Sequence, residues 1–188
     1  MDLILLQPGN KTIFGSNDFN GSIDAGPGGL DDPIAGQLGH CIELVSVHQG
    51  LKQQVTTDVS NSARTSGRPI ITEFTCVKYV DRTSAKFYEL CLRAEPLGKG
   101  KDQPTRIHIL RNSGDKTANV ISFHLRDALI SEVQLQSHPD DMPTEQFKLN
   151  FTEILWECTA QNADGSRAVT ELSGWSLARN RPIGSFTD

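Results

Sequence analysis

The stretch "NVISFHLRD" at 119–127 alternates strictly: Ile121, Phe123 and Leu125 fall on one side of an extended chain, Ser122, His124 and Arg126 on the other. Only a strand imposes a period of two, so such segments cannot build a helical core. One face is expected to pack and the other to stay wet. The pattern recurs. "ALISEVQLQ" places Leu129, Val133 and Leu135 on one side, and "EFTCVKYV" sets Phe74 and Cys76 against Thr75, Val77 and Tyr79. "CIELVSVHQ" and "RIHILR" add two shorter strands. "QFKLNFTEILWEC" puts Phe147, Leu149 and Phe151 on one face and then Ile154, Trp156 and Cys158 on the other, a switch that predicts a bulge or cover on both faces.

Turn chemistry separates these runs at "NSGD" (112–115), "HPDDMP" (138–143) and "NADG" (162–165). Closely spaced strands of this kind point to a barrel or sandwich and away from βαβ units. One segment departs from period two. "DRTSAKFYELCLRAEP" offers Thr83 or Ser84 as N-cap, apolar positions at Phe87, Leu90, Cys91 and Ala94, and Pro96 as a stop, which predicts a single helix of about three turns. The fold class expected is mainly β: a compact β-barrel of two antiparallel sheets with one α-helix and long extended loops. At 188 residues the chain has room for one sizeable domain. That domain is expected over 1–179, with long loops at 14–40 and 51–69 and a C-terminal tail at 180–188.

Composition excludes several classes. A net charge of -5 without clustered Lys or Arg argues against a nucleic-acid surface. No apolar run approaches the roughly 20 residues of a membrane span, and Asp2 stands where an export signal wants a basic residue. Cys41, Cys76, Cys91 and Cys158 are far apart without a CxxC pair, so reduced, mostly buried thiols are expected.

Chemistry-bearing patterns are weak. "DFNGSID" places Asp18, Asn20, Ser22 and Asp24 at calcium-loop spacing, but Ile23 and Gly29 stand where that loop needs Gly and Glu, so an ordinary polar loop is expected. His108 and His124 lie on polar strand faces without a carboxylate or thiol at a fixed offset, and read as surface or lumen histidines rather than metal ligands. There is no GxSxG, no HExxH and no Gly-rich turn running into Lys-Ser or Lys-Thr; "GPGGL" at 26–30 lacks the flanking strand and helix of a phosphate cradle. Cys91 belongs to the helix's apolar stripe and reads as core. The glycosylation triplets at Asn10, Asn20 and Asn150 mean little without a leader. Hence no catalytic residue, metal or cofactor is expected, and the chain is expected to work through its surface.

The order of parts carries a resemblance. "IELVSVHQG" (42–50), a long polar loop, "EFTCVKYVDRTSAKFYELC" (73–91), then "ISFHLRDALISEVQLQ" and "PTEQFKLNFTEILWEC" resemble the hemolysin-coregulated protein family, the tube subunits of type VI secretion, from Leu3 to about Leu177. The resemblance implies hexameric rings stacked into a hollow tube. Its implied partners are copies of itself, a contractile sheath, a spike protein and secreted effectors, with no nucleic acid and no membrane insertion. It implies assembly in the cytoplasm and later release outside without a signal peptide. The alternatives are a phage-type tail tube protein and a secreted β-barrel effector enzyme. The polar run "QVTTDVSNSARTSGRP" (54–69) becomes the arm that reaches the next ring, with Thr56, Asp58, Ser60, Arg64 and Ser66 as its contact residues. Extended, sixteen residues span up to roughly 50 Å. So polar a run is expected to stay structureless until a partner orders it. Lys86, Tyr88, Glu89 and Arg93 on the helix are expected at the subunit junction. Val47, His48 and Gln49 depart from the Trp-rich strand that the family often has before its loop.

Overall fold

The structure is a computed structural model, and it describes residues 3–14, 23–25, 39–57, 64–113, 116–161 and 167–188. The larger of its two main sheets has eight strands in the order β16-β15-β14-β11-β10-β1-β3-β2. These are β1 (Leu3–Gln7), β2 (Ile23–Ala25), β3 (Gly39–Leu44), β10 (Thr105–Ser113), β11 (Lys116–Arg126), β14 (Glu153–Gln161), β15 (Arg167–Ser176) and β16 (Arg181–Pro182). The smaller has four strands in the order β12-β13-β9-β4, formed by β4 (Ser46–His48), β9 (Phe74–Tyr79), β12 (Leu129–Gln136) and β13 (Thr144–Asn150). Short ribbons pair β5 (Leu51–Lys52) with β8 (Ile70–Ile71) and β6 (Val55–Thr57) with β7 (Arg64–Ser66). All pairings are antiparallel, and one helix, α1 (Ser84–Arg93), completes the described residues. The mainly β class with two principal sheets and one helix holds; among the described residues neither sheet closes on itself into a barrel.

Two corners pass the chain between sheets. "CIELVSVHQ" is split at Val45 into β3 and β4, with the Val45 amide bonded to the Val77 carbonyl. The side-chain switch in "QFKLNFTEILWEC" is likewise no bulge. β13 ends at Asn150 and β14 begins at Glu153 in the other sheet, with the Thr152 amide bonded to the Arg126 carbonyl at the corner. A bulge does occur in β12, between Ile130 and Glu132. The extra residue shifts the alternation by one, so Ile130 and Val133 both pack on the core, while Leu135, in phase with Val133 and expected inside, is 62% exposed towards the end of the strand.

The core lies between the sheets. Phe74 packs edge-on to Phe123 at 5.0 Å and near Phe151 at 5.7 Å, and Leu6, Ile42, Ile107, Leu125 and Ile154 surround them. The second face of β11 is not wet as expected. Ser122 is buried with His108 of β10.

The helix forms where its sequence signals place it. Its start is set less by Thr83 than by Asp81, whose carboxylate accepts from the Thr83 amide (2.7 Å) and hydroxyl (2.5 Å). Phe87 and Leu90 face the core. The helix ends at Ala94, left-handed at φ 50, with the Ala94 amide bonded to the Cys91 carbonyl and the Glu95 amide to that of Leu90. That is a Schellman closure, followed by Pro96, and it takes Ala94 off the apolar stripe and out to solvent. The four thiols, expected mostly buried, divide: Cys41 and Cys76 are buried, Cys91 is half-buried and Cys158 is exposed.

Residues 180–188 carry β16 and then return along the large sheet. The Thr187 amide and hydroxyl donate to the buried Glu153 carboxylate at 3.0 and 2.6 Å, and Arg126 bridges both residues. Burial opposes the charge of Glu153, but these donors outweigh it and hold its pKa down at about 2.

Candidate functional site

The arm is built as a two-tier β-ribbon, not a structureless run. Leu51 pairs with Ile71 and Lys52 with Ile70 at its root; Val55 pairs with Ser66, Thr56 with Thr65 and Thr57 with Arg64 farther out. Gly50 and Thr72 exchange hydrogen bonds where the ribbon leaves β4 and β9, and the Gly67 amide donates to Gln54. Arg68 ties the returning strand to the body through the Leu177 carbonyl at 2.5 Å. Backbone pairing explains why so polar a stretch is ordered here: a ladder needs no apolar side chains to satisfy its amides.

Of the expected arm residues, Thr56, Arg64 and Ser66 lie in paired strands. Asp58 and Ser60 lie outside the described residues, as do Asp18, Asn20 and Ser22 of the calcium-like run and the glycines of 26–30. What sequence reasoning passed over is apolar. Leu51, Val55 and Ile70 are 59%, 55% and 45% exposed along the ribbon. Their signal was present as isolated β-formers within a polar run, which alternation over longer windows does not detect.

On α1 the four expected residues divide. Lys86 and Arg93 both bind Glu89, at 2.9 and 2.7 Å, as one solvent-facing row that ends beside Leu92, 87% exposed. Lys86 and then Arg93 hold the Glu89 carboxyl below its usual range. Tyr88 is not part of that row. It is half-buried and stands beside the Glu145 carboxylate of β13; burial first, and Glu145 second, raise its pKa.

Two polar clusters lie within the fold. Under α1, the Lys78 ammonium, fully buried, contacts Glu145 Oε1 at 2.6 Å, Asp81 Oδ1 at 3.0 Å, and Ser84 Oγ and the Tyr79 carbonyl at 3.1 Å. In the large sheet, His108 Nδ1 is 2.7 Å from Ser122 Oγ and its Nε2 3.3 Å from Gln7 Oε1, while His124 faces Glu157 at 3.4 Å. Burial, then the nearby His124 and Arg106 charges, push His108 down to about 3. His108 is thus an interior residue and not a surface or lumen one. Its folded pKa lies below its unfolded value, so the stability it permits is complete above about 6.5 and declines as pH falls toward 3. At pH 5 the penalty is about 2 kcal/mol. His108→Gln is expected to flatten the loss of stability between pH 7 and pH 5, measured by urea unfolding; an unchanged acid limb contradicts it.

Lys78 and Glu145 are closed off from solvent, as are His108 and Ser122, whereas His124 and Glu157 are partly exposed. A hollow of 420 Å³ at the arm root is bordered by His48, Thr72, Glu73 and Lys148, where the Thr72 hydroxyl donates to the Gly50 carbonyl. Among the described residues no group of three His, Cys, Asp or Glu is disposed to hold a metal, and no helix is long and apolar enough to cross a membrane. The candidate functional features are therefore surfaces: the ribbon arm, the outer row of α1, and the open sheet edges.

A family model described as type VI secretion system effector, Hcp, matches residues 36–158, which span the arm, the helix, the whole four-stranded sheet and strands β3, β10, β11 and most of β14 of the larger one. The chain belongs to the Hcp family. Hcp proteins are tube proteins of the type VI secretion system, and the matching segment contains the ribbon arm, the outer row of α1 and the edge strand β12. Solved structures agree in fold. One described as a type six secretion system protein superposes with a TM-score of 0.74 over 97% of this chain and 100% of its own, at 17% identity. Hcp1 from Salmonella typhimurium follows at 0.63, with 16% identity, over 97% and 99%. Hcp1 from E. coli EAEC 042 gives 0.54, with 17% identity, over 90% and 96%. No curated protein sequence matches.

Proposed function

We propose that this Hcp chain is the repeating subunit of the type VI inner tube, forming hexameric rings that stack through the ribbon arm. The tube is enclosed by the contractile sheath, tipped by the spike, expelled on firing, and carries effectors. The observation that supports this most is the arm: a paired ribbon that leaves the body and presents Leu51, Val55 and Ile70 to solvent. Burying the exposed part of each against a second copy contributes on the order of 1 kcal/mol. A ring engages several arms at once, so individually weak contacts sum to a firm joint.

Ring closure is supported by unpaired edges. Among the described residues, β12 has no neighbour on one side, and β15 is covered by β16 only at Trp175 and Ser176. The open part of β15 carries Val169 and Leu172, 61% and 52% exposed. In a lone globule such edges invite aggregation; in a closed ring they are consumed.

Deleting residues 56–66 is expected to leave rings intact and abolish tube growth, scored by negative-stain microscopy. Leu51→Asp with Ile70→Asp should do the same without shortening the chain. Filaments of normal length from either variant would refute the arm's role.

A further inference from the structure

We infer that the buried Lys78–Glu145 pair is a positioning device that fixes α1 on the four-stranded sheet, and that it adds little to overall stability. Glu145 on β13 faces Lys78 on β9 in register, and both are fully buried. The Lys78 ammonium touches Asp81 in the turn before the helix and Ser84, the first helical residue, and lies 5.3 Å from the centre of the Phe87 ring. Ser84 Oγ in turn donates to Glu145 Oε1 at 2.8 Å and accepts from the Asp81 amide at 3.0 Å. One charge thus contacts two strands, a turn and a helix.

The aromatic contacts beneath α1 supply adhesion without direction, because apolar burial is indifferent to a small slide or rotation. Hydrogen bonds are not indifferent. A displaced helix would leave Lys78 or Glu145 unsatisfied in the interior, which is heavily penalised. Removing both charges from water nearly cancels their attraction, so the pair selects one helix position rather than deepening the fold. Glu145 Oε2 supports this reading. It is buried without a hydrogen-bond partner. A pair optimised for stability would use both oxygens.

The test replaces the pair by apolar residues of similar size, Lys78→Met with Glu145→Leu, in the full chain. Hydrogen exchange of residues 84–94 is expected to accelerate about tenfold relative to wild type. The thermal midpoint is expected to stay within about 5 °C. Unchanged helix protection overturns the inference, and so does a larger loss of midpoint, which would make the pair a net stabiliser. Leu92→Asp, on the exposed row and away from the cluster, is the separate control for the junction. Intact rings from that variant would count against the junction alone and leave the exchange result standing.

Discussion

Lys78→Met is expected to destabilise the folded chain by about 3–5 kcal/mol at pH 7, the range for removing one partner of a buried ion pair. The ammonium it removes is the shared counter-charge of Glu145 and Asp81. Glu145, with no exposed surface, would keep the Ser84 hydroxyl as a donor, with Tyr88 beside it, but no counter-charge. Burial works against the charge of Asp81 as well; bonds from Thr83 and Lys78 outweigh it and keep that carboxyl below its usual range. Without Lys78 a fully buried carboxylate is left without a counter-charge beside the partly exposed Asp81, and desolvation favours the protonated form of such a group in the folded variant. A group that binds its proton more tightly when folded favours the fold at low pH and loses that contribution as pH rises. The deficit relative to wild type should therefore shrink from pH 7 to pH 5. Urea unfolding at both values checks this; a deficit under about 1 kcal/mol, or one that grows on acidification, contradicts it.

Phe87→Ala is expected to remove a similar amount, about 3–5 kcal/mol, through a different mechanism. The ring is fully buried, meets Phe147 edge-on at 4.9 Å and stacks on Phe14 at 5.3 Å. Truncation forfeits those contacts and opens a cavity that rigid strands on one side cannot collapse to fill. A helix of 10 residues has little intrinsic stability, so the loss should appear first in α1. Because the Lys78 ammonium lies against the same ring, the effects of Phe87→Ala and Lys78→Met should not add in the double variant. Strict additivity in urea unfolding would contradict that shared cluster.

Much of this architecture was legible in local pattern. β9 reads in and out as its alternation says, and α1 begins and ends where Thr83 and Pro96 indicate. What stayed hidden was non-local. Neither "CIELVSVHQ" nor "QFKLNFTEILWEC" shows that its strand changes sheet midway, because a corner is set by what the two halves pair with. The β12 bulge conceals itself likewise, since Leu129 and Ile130 are equally apolar. The interior polar residues were the deepest omission. Lys78 sits on the inward phase of β9, a place where a charge is tolerated only with partners, and those partners lie in a turn, a helix and another strand. In the arm, polarity suggested absence of structure, whereas ladder pairing orders it.

Mass measured by light scattering across a wide concentration range, with images of the same fractions, tests the central claim most directly. The account predicts a hexameric mass and annular particles that lengthen into tubes as concentration rises. A single-chain mass at every concentration, with no rings in the images, would contradict it.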